Sequence, residues 1–176
     1  YPVMAAHPGG APANFLAALS RYGVKTALLA KVGDDAFGKM LLNTLQEAGI
    51  DSHAMVISPD VFTTLAFVTI DSRGERSFSF ARKPGADTCI SFEELDLNTI
   101  AQAKVFHFGT LSLTDEPARS ATYQAVAYAK SLGKLITYDP NLRKPLWKDM
   151  QDCKAQLLWG LEQADVVKIS DEEVEF

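Results

Sequence analysis

Residues 105–138, VFHFGTLSLTDEPARSATYQAVAYAKSLGKLITY, carry the clearest fold signal in the chain. Both ends of this stretch, residues 105–108 and 135–138, are short apolar runs of the kind that form buried strands. Between them, Pro117 opens an alanine-rich helical pattern and Gly133 closes it. A strand, a helix and a second strand joined by short connections predict a right-handed crossover between two parallel strands.

The same unit recurs on both sides of this stretch. Upstream, residues 26–32 form an apolar run that predicts a strand, and Asp35 and Gly49 mark the start and the end of the helix that follows. Downstream, the pattern predicts a helix from about 149 to 162 and a strand over 165–169. We therefore expect an α/β fold with a mostly parallel sheet covered by helices.

One segment breaks the alternation of strands and helices. Residues 64–70 and 75–80 are two strand-like runs that flank a glycine-bearing turn, and Phe78 and Phe80 share one face of the second run. We expect an antiparallel β-hairpin at about residues 62–82. A hairpin inserted into an α/β chain is often a flap over a site or a dimer surface, so we interpret this one as a lid.

Composition narrows the functional classes. The chain has 176 residues, 47% of them hydrophobic, and its 17 basic and 22 acidic residues leave a net charge of −5. This length suffices for one domain with a sizeable core, which we expect to span residues 1–176. The chain has no dense block of Lys or Arg, so nucleic acid is not an expected partner. It has no apolar run long enough to span a bilayer, so a membrane is not expected either.

The cysteines and the amino-terminal residues indicate the cellular compartment of the protein. Cys89 and Cys153 form no CxxC pair, so we expect neither a structural zinc site nor a disulfide framework. The first residues show no basic region leading into an apolar stretch, as a signal peptide has. These features predict two reduced thiols in a cytoplasmic protein.

Two glycine-rich segments are candidates for ligand binding. GDDAFGKM, residues 33–40, follows the P-loop pattern except that Met40 replaces the Ser or Thr that binds magnesium. A turn before a helix is the preferred interpretation, because the two aspartates would repel a phosphate. GGAPAN, residues 9–14, lets the backbone approach a ligand and offers the Asn14 amide, although a tight turn with a capping Asn explains it equally well.

The segment GGAPAN, with Gly23 and VGDDAFG at residues 32–38, resembles the first signature of the ribokinase-like (PfkB) sugar kinases, especially their fructokinase branch. Leu16 departs from that signature, which has a small residue there. The resemblance continues along nearly the whole chain through five further segments, namely residues 82–87, 106–109, 115–120, 138–143 and 168–173. The run DPNLR within the fourth of these is the most specific.

The resemblance implies a Rossmann-like three-layer αβα core and a sugar site. Residues that match Gly9, Gly10 and Asn14 contact sugar hydroxyls in that family. Arg82 and Asp87 follow the predicted lid and are further candidates for contact with the sugar. For these two charged residues, an exposed loop charge is the commoner explanation.

Four candidates for the phosphate site follow the last two predicted strands: Asp139, Asn141, Arg143 and Glu173. Ligand sites of open α/β sheets collect at the carboxyl ends of strands. The resemblance implies that Asp139, Asn141 and Glu173 lie beside the phosphates of ATP. It also implies that Glu173 holds Mg²⁺, directly or through water, and that Arg143 stabilises the charge of the transferred phosphoryl group. A turn with side-chain caps explains Asp139 and Asn141 as well, and a capping box explains Glu173.

The resemblance implies an ATP-dependent kinase that transfers the γ-phosphoryl group to a sugar hydroxyl, with fructose as the first candidate and fructose 6-phosphate as its product. A 2-keto-3-deoxygluconate kinase or an aminoimidazole riboside kinase is the alternative within the family, and a non-catalytic sugar-binding or dimerising remnant is the alternative outside it. The family's first strand and its Gly-Ala-Gly-Asp segment, which carries the catalytic base, have no match here. We therefore expect an amino-terminal portion that is inactive alone. As in relatives, we expect a homodimer through the lid hairpin.

Overall fold

The computed structural model describes residues 3–176. The strands are β1 (Lys31–Gly33), β2 (Val56–Ser58), β3 (Leu65–Ile70), β4 (Arg76–Ala81), β5 (Val105–Phe108), β6 (Leu135–Tyr138) and β7 (Val166–Val167). The helices are α1 (Ala11–Arg21), α2 (Ala36–Glu47), α3 (Leu97–Gln102), α4 (Ala118–Ser131), α5 (Met150–Gln163) and α6 (Asp171–Glu175). Within residues 3–176, no helix combines the length and the apolar character that crossing a bilayer requires.

Parallel pairing organises both α/β parts of the chain. Strands β5, β6 and β7 form a three-stranded parallel sheet in that order, with Val105 opposite Leu135 and Thr137 opposite Val166. Strands β1 and β2 pair in parallel as a separate two-stranded sheet. The prediction of an α/β fold with mostly parallel strands is confirmed.

The strand predicted over residues 26–32 is shorter in the structure. Strand β1 begins only at Lys31, and an isolated parallel bridge between Ala27 and Asp51 precedes it. On the partner segment, residues 52–55 form a turn before β2 begins. This turn removes the backbone partners that a continuous ladder would need, so the strand is interrupted.

Helix α2 begins where its side-chain cap predicts. The Asp35 carboxylate accepts the amides of Phe37 and Gly38 at 2.9 and 2.8 Å. Its second oxygen accepts the Thr63 amide at 2.8 Å, which ties the helix start to the segment before the hairpin. Residues 33–40 are therefore a strand end, a turn and a helix start, as preferred over a P-loop.

The core lies between the three-stranded sheet and helices α4 and α5. Its buried members are Ile100, Phe108, Leu113, Ala125, Val126, Ala129, Ile136, Tyr138, Trp147 and Cys153. Gly160 lets α5 pack closely on β6, since a Cβ there would lie 2.3 Å from Cζ of Tyr138. Side chains alternate along a strand, so His107 points to the other face, where the Phe15 ring of α1 lies 4.8 Å from its ring. Helices therefore lie on both faces of this sheet, in the predicted three-layer order.

Strands β3 and β4 form the predicted antiparallel hairpin. Leu65 pairs with Ala81 at its base, and the rings of Phe78 and Phe80 stack with centroids 6.3 Å apart. Residues 66–75 and 77–79 are all exposed. The hairpin therefore adds little buried surface to the core.

Candidate functional site

Three strand ends meet at one edge of the parallel sheet. The Asp139 amide, just after β6, donates to the Phe108 carbonyl at the end of β5 (3.2 Å), and the Lys168 amide, just after β7, donates to the Tyr138 carbonyl (2.9 Å). Gly109 follows β5, and a Cβ there would lie 2.7 Å from the Asp139 carbonyl oxygen. The loops after β5, β6 and β7 therefore lie side by side, at the edge where ligand sites of α/β sheets collect.

Residues Asp139 to Asn141 form a turn held by a side chain. Oδ1 of Asp139 accepts the Asn141 amide at 3.1 Å. Asn141 has a φ of 45°, in the left-handed region that Asn tolerates better than most residues. Nζ of Lys168 lies 3.3 Å from Oδ2 of Asp139. The side-chain-capped turn is thus present at the edge predicted for the phosphate site, so the two interpretations are compatible.

Glu173 joins helix α6 to the loop after β6. One of its carboxylate oxygens accepts the Leu142 amide at 2.7 Å, and the other accepts the amide and the hydroxyl of Ser170, both at 2.9 Å. Burial works to raise the pKa of Glu173, but the amides of Ser170 and Leu142 and the charge of Lys168 outweigh it and lower that pKa. The carboxylate is therefore held in its ionised form, and the predicted capping box is present.

The hydrogen bonds of Glu173 bear on its predicted role as a Mg²⁺ ligand. Both of its oxygens already accept hydrogen bonds from the chain. Throughout residues 3–176, no three side chains of His, Cys, Asp or Glu gather into a cluster suited to a metal ion. Oε1 of Glu173 accepts a single hydrogen bond, and Mg²⁺ is commonly held by one or two carboxylates together with water, so the predicted metal role of Glu173, directly or through water, stays a prediction.

Basic side chains flank the same loop. Arg143 is exposed, and its Nη1 donates to the Leu142 carbonyl at 3.0 Å. Lys144 follows it, with Nζ 4.8 Å from the centre of the Phe176 ring. Lys168 lies beside Asp139, and Lys144 shares a surface cavity with Glu172 and Glu175, so the loop after β6 is bordered by charges of both signs.

Helix α1 carries the glycine pair and Asn14. Gly10 is its N-cap residue and has a φ of 121°, a conformation that favours glycine. Asn14 is exposed in the first turns of the helix. The neighbouring Phe15 packs on His107, whose Nδ1 lies 2.9 Å from the Thr137 hydroxyl. The start of α1 therefore lies on the face of the sheet opposite the core.

The charge of Asp139 also acts on a side chain of that face, the His107 imidazole. Burial lowers the pKa of His107, and the charge of Asp139 partly opposes this effect. Phe15 packs on His107 of β5, so helix α1 lies against the same sheet whose strand ends carry the phosphate candidates.

Arg82 is placed differently from the expectation of an exposed loop charge, whereas the side chain of Asp87 keeps 37% of its surface exposed. The Arg82 side chain is only 5% exposed, and its Nε donates to Oδ2 of Asp87 at 2.7 Å. The exposed-charge interpretation of Arg82 is wrong, because the base of the hairpin folds against the segment after β5 and buries the guanidinium.

The structure thus brings together Asp139, Asn141 and Glu173, with Arg143 beside them, and keeps the Arg82–Asp87 pair at the hairpin base. The sequence interpretation missed Lys168 as a member of the strand-end set. The signal was available, since Lys168 directly follows a predicted strand, as Asp139 does.

The model of the pfkB family of carbohydrate kinases matches residues 3–176. A protein named probable fructokinase-3 from Arabidopsis thaliana is 47% identical over 169 residues, which cover 96% of this chain and 49% of that protein. Fructokinase-1 from Zea mays is 46% identical over the same share of this chain and 52% of its own length. The chain spans about half the length of the curated relatives it matches.

Solved structures give the same result. A fructokinase from Xylella fastidiosa superposes with a TM-score of 0.89 and 37% identity, over 94% of this chain and 51% of that one. A fructokinase from Vibrio cholerae, solved with fructose, ADP and calcium ion, superposes with a TM-score of 0.85 and 34% identity, over 96% and 54%. An aminoimidazole riboside kinase from Salmonella enterica superposes with a TM-score of 0.81 and 28% identity, over 94% and 52%.

Proposed function

The chain belongs to the pfkB family of carbohydrate kinases, and we propose that the protein that carries it is an ATP-dependent fructokinase. The observation that carries this proposal is the similarity to fructokinases along nearly all of the chain, at up to 47% identity. The positions of Asp139, Asn141 and Arg143 beside the strand ends support it, since that edge suits a phosphorylated ligand.

The proposed reaction transfers the terminal phosphoryl group of ATP to a hydroxyl of fructose. The hydroxyl oxygen forms a bond to the γ-phosphorus, the bond from that phosphorus to the oxygen of the β-phosphate breaks, and ADP leaves with the electron pair. The hydroxyl proton passes to a base, which the family resemblance puts in a Gly-Ala-Gly-Asp segment that the printed sequence does not contain. Such a transfer depends mainly on positioning and on neutralising charge.

Within this chain, Arg143 is proposed to stabilise the phosphoryl charge as it passes from donor to acceptor. Its guanidinium has an exposed fork, which suits the planar pairs of oxygens that a phosphate presents. Asp139 and Asn141 are proposed to line the phosphate site, and Glu173 holds the loop that carries them through the Leu142 amide. Mg²⁺ is proposed to accompany ATP, with Glu173 in contact through water.

The sugar is proposed to bind at the start of α1. The glycine pair has no side chains, so a ligand can approach the backbone of Gly9 and Gly10 closely. Asn14 adds one donor and one acceptor in an exposed position, and both suit neighbouring sugar hydroxyls.

The hairpin is proposed to form a homodimer contact. Phe67, Val68, Ile70 and Phe78 are apolar and exposed on it. Light scattering of the intact protein is expected to give twice the monomer mass, and a monomer would contradict this part of the proposal. We also propose a cytoplasmic location, which the unpaired cysteines favour.

A coupled assay of ADP release by the intact protein tests the activity. We expect turnover with ATP and fructose that exceeds turnover with 2-keto-3-deoxygluconate and with aminoimidazole riboside. Preference for the riboside would instead favour the second candidate, which the similarity to the Salmonella enterica enzyme supports. Fructose binding by calorimetry without any turnover would favour a non-catalytic remnant.

The Asn14→Ala variant tests the sugar site within the same assay. Loss of its hydrogen bonds to the sugar is expected to raise the KM for fructose by about tenfold, with the KM for ATP unchanged. Asn43→Ala is the matched control, because Asn43 is also exposed on a helix. An unchanged KM for fructose in Asn14→Ala would remove Asn14 from the site.

A further inference from the structure

The two residues that flank the hairpin strands, called its legs here, both bind one carboxylate. Thr64, directly before β3, donates its hydroxyl to Oδ1 of Asp87. Arg82, directly after β4, donates its Nε to Oδ2 of Asp87 at 2.7 Å. The single side chain of Asp87 therefore holds the two ends of the hairpin at once.

The guanidinium of Arg82 then fastens this base to the body of the molecule. Its Nη1 donates to the Thr114 hydroxyl at 2.7 Å, and its Nη2 donates to the Leu111 carbonyl at 2.8 Å. Both acceptors lie between β5 and α4. Three of the five N–H groups of Arg82 are thus used within the chain. Few are left for a sugar, so the arrangement favours a structural contact over a substrate contact.

Close packing leaves this base little freedom. A Cβ on Gly85 would lie 1.8 Å from the Thr64 hydroxyl oxygen and 2.9 Å from Oδ1 of Asp87. The backbone of Gly85 therefore passes directly against the converging side chains. Only glycine fits beside them without a shift of the hairpin legs.

An ionic contact extends from the base toward the predicted phosphate loop. Oδ2 of Asp115 lies 4.0 Å from Nη1 of Arg82, and Oδ1 of Asp115 lies 2.5 Å from Nζ of Lys148. Burial works to raise the pKa of Asp115, but Lys148, Thr114 and the charge of Arg82 outweigh it and lower that pKa. Lys148 belongs to the segment that continues from Arg143, so the hairpin base and that segment share one ionic cluster.

We propose that Asp87 and Arg82 are positioning residues that set the orientation of the hairpin, the predicted lid, relative to the rest of the molecule, and that they do not contact the sugar. Residues 66–75 and 77–79 are exposed, so small changes at the base of the hairpin are carried outward to its tip. The statement about the sugar site rests on the proposed function. The statement about the hairpin rests on the contacts alone.

Hydrogen exchange of the intact protein tests this role through the Asp87→Asn variant. The variant keeps the shape of the side chain but loses its charge, which weakens the bond to Arg82. We expect amides of residues 65–81 to exchange about fivefold faster than in the wild type, with amides of β5 and β6 unchanged. The Asp60→Asn variant is the control, because Asp60 is an exposed carboxylate that precedes the hairpin.

Kinetics of the same variants separate positioning from contact. We expect the KM for fructose to rise about tenfold in Asp87→Asn, in step with the faster exchange. Unchanged exchange of residues 65–81 would overturn the proposal, and a higher KM with unchanged exchange would make Asp87 a contact residue, which also overturns it. A wild type that phosphorylates no fructose would contradict the proposed function and leave the exchange result to decide the positioning role.

The Thr64→Val variant keeps the proposal testable if Asp87→Asn fails to fold. It removes one leg of the contact and leaves the ion pair of Arg82 and Asp87 intact. We expect a smaller acceleration of exchange, confined to β3 and the residues opposite it in β4. Equal exchange in Thr64→Val and the wild type would contradict the role of Asp87 as a shared anchor of both legs.

Discussion

The hairpin and the three-stranded sheet are both made of apolar strands, yet they use those strands in opposite ways. In the sheet, one face of β5 and β6 is buried under α4 and α5, and Ile136 is 1% exposed. In the hairpin, Ile70 is 65% exposed, and the strands depend on pairing with each other. The sheet therefore buries the apolar surface that stabilises the fold, whereas the hairpin leaves most of its apolar surface exposed.

The same substitution in both regions tests this contrast most strongly. Ile136→Ala removes buried methyl groups and leaves a cavity, so we expect a loss of about 2–5 kcal/mol in the free energy of unfolding. Ile70→Ala is the matched substitution on the hairpin, where a change within about 0.5 kcal/mol is expected at protein concentrations low enough to keep the proposed dimer dissociated. Chemical denaturation of the two variants measures both values. Equal losses would mean that the hairpin packs against the core in solution.

A buried carboxylate at the edge of the sheet extends the comparison from apolar to polar contacts. Glu173→Gln replaces a buried carboxylate that accepts bonds from Leu142 and Ser170, and we expect a loss of about 1–3 kcal/mol in stability at neutral pH. Glu172→Gln is the control, because the Glu172 side chain is next in the sequence and is exposed. Denaturation at neutral pH gives the two losses, and equal values would show that the Leu142 contact is not stabilising.

The pH dependence of this difference has a definite sign. The folded-state pKa of Glu173 is lowered, so its contribution is present above the unfolded-state pKa and is lost as pH falls through the folded-state pKa. We therefore expect the stability gap between the wild type and Glu173→Gln to close on acidification below the unfolded-state pKa. A gap that stays constant down to the acid transition would mean that the carboxylate charge is not what stabilises the loop.

The smallest expected effect comes from a surface histidine that joins the two α/β parts. Nδ1 of His53 lies 2.7 Å from Asp51, and its Nε2 lies 2.9 Å from Asp96, the N-cap residue of α3. Only the imidazolium donates from both nitrogens. Hydrogen bonds to Asp51 and Asp96 raise the pKa of His53 above its ordinary value.

The raised pKa sets the direction of the pH effect. The contribution of His53 is fully present below its unfolded-state pKa and is lost as pH rises through the folded-state value. We expect His53→Gln to lower Tm more at pH about 6 than at pH about 8.5. His7→Gln, at another exposed position, is the control. A difference in Tm that is equal at both pH values would contradict the two-carboxylate contact.

The predictable parts of this fold have signals that lie close together in the sequence. Asp35 precedes the amides that it caps, and Gly49 and Gly133 have φ values of 72° and 67° just past their helices. The hairpin follows from two alternating runs and the turn between them. Of the candidate site, the strand-end position of Asp139 follows from the same kind of pattern.

Other features depend on segments that meet only in the folded chain. The length of β1 is limited by a turn in its partner segment, and no residue within β1 reveals that turn. The burial of Arg82 requires the segment after β5, and the bond from Leu142 to Glu173 joins the loop after β6 to helix α6. Periodicity describes one segment at a time, so it does not report such pairs.

Local patterning therefore accounts for the order of the strands and helices, the caps and the hairpin, because steric limits and alternating burial act within a few residues. The family membership also follows from the sequence, through motifs that keep their order along the chain. The contacts of charged side chains beyond their own segment come from the fold. Whether Arg82, Asp87 or Glu173 is free for a ligand depends on which distant donors and acceptors already bind it, and the packing of the sheet against its loops sets those contacts.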